Sequence, residues 1–270
     1  MMLALGTMSA QTGLRLVTTV EDKAKALIRD SAQHARAIAH FEENIASVNS
    51  VDDLMADPDL YAFVMRAYDL EDQIFGKALM SKMLKSDIDD PKALVNRLSD
   101  PRFKELYNAL QFGPEGENTL VTLSKKWRDS VVEKYVSRQF IDQQYDQNET
   151  VGTALEFRQK IGSVENVFDI LKDRDLALVV RTALGLPREF AQLDIDKQAE
   201  EIKERLDLET LKDPAEVEKL VNRYVLISDA QSGTATAGSA ALQMLTSAAN
   251  YSFVSIDLEA ISSLPRSPYR

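Results

Sequence analysis

The chain has 270 residues, 43 acids against 32 bases, a net charge of −11 and no cysteine. The missing thiol excludes disulfides, cysteine nucleophiles and cysteine-ligated metals. The acidic balance disfavours nucleic acid or an anionic bilayer as a partner.

The opening stretch, MMLALGTMSAQTGLRL, lacks a basic n-region, and its apolar run is broken by glycine, threonine and serine, so no Sec signal peptide is expected. Residues 1–14 are expected to be flexible. Val20 to about Phe41 carries no proline or glycine and predicts one long helix, with alanines at 24, 26, 32, 35 and 37 for close packing. Next comes IASVNSVDDLMADPDL, Ile45 to Leu60. Its Asp57-Pro58 pair predicts a helix start, because aspartate accepts from free N–H groups at an N-cap and proline at N1 loses no helical bond. Asp90-Pro91, Asp100-Pro101 and Asp213-Pro214 are read the same way. Phe112-Gly113-Pro114 predicts a helix stop.

Leu120 to about Tyr145 predicts a second long helix, its apolar stripe running through Leu120, Leu123, Trp127, Val131 and Tyr135. Then IGSVENVFDILKDRDL, Ile161 to Leu176, nearly repeats the earlier phrase. Aligned without gaps, Ile45–Leu70 and Ile161–Leu186 share eleven of 26 positions, where unrelated segments would share roughly two. Leu184-Gly185-Leu186-Pro187 predicts a left-handed C-terminal glycine followed by a stop. The letters LVNR recur at Leu94–Arg97 and Leu220–Arg223. The expectation is an all-α multihelical bundle of two tandem pseudo-repeats, about 15–113 and 119–227, each a long helix followed by shorter capped helices. Residues 228–270 are rich in alanine, serine and threonine, with a short amphipathic helix expected over Ala240–Ala249. This tail is expected to be flexible or ordered by a partner.

No chemistry stands out. His34 and His40 are six positions apart, which turns them away from a shared helix face. The acidic runs Ser86–Asp90 and Leu193–Asp196 suit capping loops. Counted from Asp87, an EF-hand would need glycine and glutamate where Lys92 and Leu98 stand. P-loop, dinucleotide and nucleophile-elbow motifs are absent. Ser124–Phe140 interleaves bases with aromatics, but Asp129 and Glu133 interrupt it, and packing is the expected role. No catalytic, cofactor-binding or metal-ligating residue is assigned, no cofactor is expected, and no segment is apolar enough to span a membrane.

Three blocks carry a resemblance: HFEENIASVNSVDDLMADPDLYAFVMRAYDLEDQI, DDPKALVNRLSDPRFKELYNALQFG and VVRTALGLPREFAQLDIDKQ. Over about residues 15–227 the chain resembles domain-of-unknown-function family 1217. These are helical bacterial proteins typically encoded in alphaproteobacterial flagellar gene clusters, some labelled similar to flagellar basal-body rod proteins. The resemblance implies a non-enzymatic interaction or accessory protein of flagellar assembly or motility, with a flagellar or motility protein as partner. It implies a cytoplasmic or flagellum-associated location. A homo-oligomer is compatible with the pattern. The alternative is an enzyme using carboxylates in a cleft between the repeats.

Overall fold

Capping residues decide where the helices begin. In this computed structural model, which describes Leu5 and residues 8–113, 116–117 and 119–232, thirteen α-helices and a set of short 3-10 turns make up the regular structure. No strand occurs among the described residues. The helices are α1 (Ala10–Asp30), α2 (Ala32–Asn44), α3 (Val51–Ala56), α4 (Pro58–Ala67), α5 (Lys77–Leu84), α6 (Leu94–Arg97) and α7 (Pro101–Leu110). They continue with α8 (Lys125–Gln147), α9 (Glu149–Lys160), α10 (Val167–Lys172), α11 (Arg174–Ala183), α12 (Ile195–Arg205) and α13 (Pro214–Ser232).

The two similar phrases run through the same elements at a constant offset of 116. Each is a 3-10 turn (Ile45–Ser47 and Ile161–Ser163) followed by two short helices, α3 and α4 or α10 and α11. Ser50 with Asp53, and Asn166 with Asp169, form reciprocal capping boxes. Asp57 and Asp173 each accept from the N–H groups two and three residues on, at 2.9–3.0 Å. Each phrase ends in a Schellman corner whose left-handed residue is Asp69 (φ 58°) or Gly185 (φ 69°). Four of the six shared aspartates, Asp53, Asp57, Asp169 and Asp173, therefore each accept from backbone amides at a helix start. Each such cap stabilises its helix by about 1 kcal/mol.

Several expectations need correction. Val20–Phe41 is two helices, broken at Ser31, whose hydroxyl donates back to the Ile28 carbonyl at 2.8 Å. Between Leu120 and Lys125 the chain forms a 3-10 turn, and Leu120 and Leu123 are exposed instead of continuing the apolar stripe. Asp90 makes a local turn, accepting from the Lys92 N–H at 2.9 Å, and no helix starts until Leu94. After α7 the left-handed residue is Gln111 (φ 48°), not Gly113. The two LVNR runs are not equivalent: the first is all of α6, the second lies in the middle of α13. Regular structure already begins at Ala10, with Leu14 and Val17 buried, so residues 10–14 are not loose. Residues 228–232 belong to α13. The rest of the tail, including Ala240–Ala249, lies outside the described residues.

One core spans both phrases. Helix α1 packs on α2, α8, α9 and α13, and α4 packs on α2 and α8. Phe63 lies between Phe41 and Tyr135, with ring centroids at 4.6 and 4.2 Å, so α2, α4 and α8 share an aromatic stack. The far end of the chain also holds its beginning. The buried Asp229 carboxylate on α13 accepts from the Ala10 and Gln11 N–H groups at 2.7 and 2.9 Å, satisfying two free donors of α1. Replacing Asp229 by alanine is expected to lower stability by about 1–2 kcal/mol in urea unfolding, through the frayed start of α1.

Candidate functional site

Where the two halves meet, α8 and α9 bring a salt-bridged cluster to the ends of α4, α7 and α11. Arg138 stands one helical step beyond Val131 and Tyr135 on the buried side of α8, and Glu156 sits between Leu155 and Phe157 on α9; both are buried. The Arg138 guanidinium donates to Glu156 at 2.5 Å and to Asp142 at 2.7–2.8 Å. Lys160 reaches the other Glu156 oxygen at 2.8 Å and Asp173 at 2.9 Å. Asp69 enters from the corner after α4, 3.3 Å from Arg138, 3.4 Å from Arg102 and 3.8 Å from Lys160. Arg102 forks onto Asp100 at 2.8–3.0 Å and donates to the Asp69 carbonyl.

Position by position, the cluster echoes the first half. At the offset of 116, His40, Asn44 and Asp57 stand where Glu156, Lys160 and Asp173 stand. The His40 Nε2 lies 2.8 Å from Asp57, and the Asn44 amide nitrogen lies 3.2 Å from His40 Nδ1. In each half the end of a long helix holds the aspartate that caps a short one. Both His40 nitrogens are thus within hydrogen-bond distance of neighbouring side chains.

Asp69, Asp142, Asp146, Glu156, Asp175, Arg138 and Tyr145 line a pocket of about 390 Å³. Burial raises the carboxyl pKa of Asp69, Asp142 and Asp175 above the usual range, and outweighs the attraction of Arg138 for the first two. Asp100 is pushed up by burial too, but the Arg102 hydrogen bonds hold it below its ordinary value. Asp69 is doubly costly: a carboxylate taken out of water, on a residue that is not glycine in the left-handed region. Asp69→Gly, which installs the residue found at position 185, is therefore expected to leave stability within about 1 kcal/mol of the parent in urea unfolding, or to raise it.

The other residues singled out in the sequence lie outside this cluster. His34 Nδ1 is 2.8 Å from the Tyr135 hydroxyl. Burial and then the charge of Arg66 depress its pKa below the ordinary 6.5. The unfolded chain thus binds a proton first as pH falls, so this residue's share of stability drops below about pH 7 and levels off beneath its folded pKa. His34→Gln is expected to flatten that part of the stability–pH curve. Asp87 accepts from the Asp89 N–H at 3.0 Å and Asp194 caps α12, as turn and cap residues. Trp127 lies 6.2 Å from Phe41, while Lys125 and Lys134 pair with Asp129 and Glu105, so acids offset much of the basic character of this stretch. Among the described residues no group of three or more side chains could hold a metal ion, and no helix is long and apolar enough to cross a membrane. Arg138 and Glu156 were not flagged by the sequence, although a charge at an apolar-stripe position is the signal that could have found them.

No curated protein matches. A crystal structure of an Agrobacterium tumefaciens protein from a structural genomics programme is 31% identical, covering 85% of this chain and 96% of its own, with a TM-score of 0.74. The family described as "Protein of unknown function (DUF1217)" matches residues 67–217. With more than half of its length matched in this way, the chain belongs to the DUF1217 family.

Proposed function

We propose that this chain is a non-enzymatic helical interaction protein of flagellar assembly or motility, descended from one helical unit copied in tandem. The observation that carries the non-enzymatic reading is the use of the shared aspartates. Asp53, Asp57, Asp169 and Asp173, four of the six, cap helices, which supports a shape-maintaining role for the repeated letters; the third pair, Asp59 and Asp175, does not cap. The polar knots at the same offset and the matching Schellman corners support the tandem origin. The flagellar setting rests on the family resemblance alone. Phe75, 98% exposed just before α5, with Leu79 exposed one turn on, offers an apolar contact for a partner.

The alternative, catalysis by carboxylates between the halves, has the raised acids Asp69, Asp142 and Asp175 in its favour. Against it, Arg138 binds Asp142 and three cations face Asp69, so neither is a free base. One complementation experiment separates the readings. Deleting the gene from its native host is expected to impair swimming. The parent gene and an Asp142→Asn/Asp175→Asn variant should both restore it, whereas Phe75→Asp should not. Normal flagella and swimming after deletion would remove the motility reading. Rescue by Phe75→Asp but not by the asparagine variant would favour the enzyme.

A further inference from the structure

The two Schellman corners match in backbone and differ in charge. Each closes its helix with a left-handed residue, and a 3-10 turn follows each. A long helix packs against each, α8 on α4 and α13 on α11. At the offset of 116, however, Gly185 and Arg188 stand where the first half has Asp69 and Asp72, and Arg181 stands in place of the buried Met65. The first corner supplies its own carboxylate: Asp69 lies 3.3 Å from Arg138 and 3.4 Å from Arg102. The second corner has the arginines and no such carboxylate.

A pocket of about 700 Å³ opens there, between the end of α11 and the end of α13. Arg181, half-buried, and Arg188, exposed, both line it. Among the described residues neither guanidinium has an ion pair or a hydrogen bond, and Glu189, which lines the same pocket, lies beyond pairing distance of both. Thr182 and Gln231 add a hydroxyl and an amide that can donate to an oxygen. A guanidinium offers a planar fork of donors and accepts nothing, so this set of groups calls for an oxyanion. Leu178 and Ile227 form an apolar wall, which suits a hydrocarbon body attached to it. The end of α11 decides the charge. Its Arg181 and Thr182 carbonyls already accept from the Leu186 and Gly185 N–H groups at 2.9 and 3.0 Å, yet the helix end keeps its partial negative charge. That charge opposes a doubly charged phosphate more than a single carboxylate.

We propose that this pocket binds a small free carboxylate with a short hydrocarbon body, its oxygens held by Arg181 and Arg188 and its chain against Leu178 and Ile227. The test titrates the full-length chain with sodium hexanoate at constant ionic strength and follows the Gly185 and Leu186 amide resonances. Both are expected to shift saturably. Inorganic phosphate should bind more weakly, and hexanol, with the same chain and no charge, should shift neither. Arg181→Gln with Arg188→Gln should weaken hexanoate by about tenfold or more, as expected for the loss of charged hydrogen bonds. Gly185→Asp installs the residue of position 69, which the left-handed region tolerates better than most, and should block hexanoate by supplying the carboxylate internally. No saturable shift at this corner in the parent chain overturns the proposal, as does equal affinity in the double-arginine variant or in Gly185→Asp. Hexanol binding as well as hexanoate, or phosphate binding more tightly, also overturns it. So does self-association in sedimentation that the double-arginine variant loses, which would assign the two arginines to carboxylates of a second copy.

Discussion

Replacing Arg138 by methionine is expected to cost about 3–5 kcal/mol of unfolding free energy, among the largest effects of any single change in this chain. The reason lies in what remains behind. Glu156 is 2% exposed, and without the guanidinium at 2.5 Å it keeps Lys160 alone as a cationic partner. Asp142 and Asp69, already pushed toward their neutral forms by burial, lose an attracting charge at the same time. Adding Glu156→Leu should return much of the loss, because a buried ion pair replaced as a pair by apolar groups is often close to neutral. Urea unfolding of the parent, the two single variants and the double variant measures both the cost and the coupling. A single-variant loss below about 1 kcal/mol would mean that water reaches Glu156 and the joint is a surface pair.

Phe63→Ala is expected to cost a comparable amount, about 3–5 kcal/mol, through an entirely different term. Phe63 is buried, and its ring fills the space between Phe41 of α2 and Tyr135 of α8. Removing it deletes apolar contact area and two stacked pairs and leaves a cavity that three helices must close together. Phe63→Leu, which keeps most of the volume, should lose substantially less. Thermal or urea unfolding of the two variants reads this directly. Equal losses would show that ring stacking dominates over the cavity, and a negligible loss in Phe63→Ala would show that α2 collapses onto α8.

The sequence announced those helix boundaries that depend on local chemistry. Asp57, Asp100 and Asp213 sit before proline, and each opens a helix in the structure. Asp90 has the same letters but a different outcome. Its carboxylate still binds the amide two residues on, while Asn96 ties up the Ile88 and Asp90 carbonyls and keeps the chain in turns until Leu94. The cap chemistry is local; whether a helix follows depends on what lies beyond. Ser31 was illegible for the opposite reason. Nothing in its neighbourhood breaks a helix, and the break lets α1 continue against α8 and α13 while α2 turns onto α4. The site was the least visible part. Arg138, Glu156, Asp69 and Arg102 come from four helices or corners, and only tertiary packing brings them together. Glycine at 185 was readable as a left-handed corner; aspartate at 69 was not, because the strain there is tolerated by its surroundings.

One core spans both similar phrases, and the described helices are expected to unfold as one body. The most direct test is equilibrium urea unfolding followed by two probes. Trp127, the single tryptophan, reports the joint beside Phe41, and far-UV circular dichroism reports helix throughout. One transition with coincident midpoints is expected. Two separated transitions, with the tryptophan change confined to one of them, would contradict it.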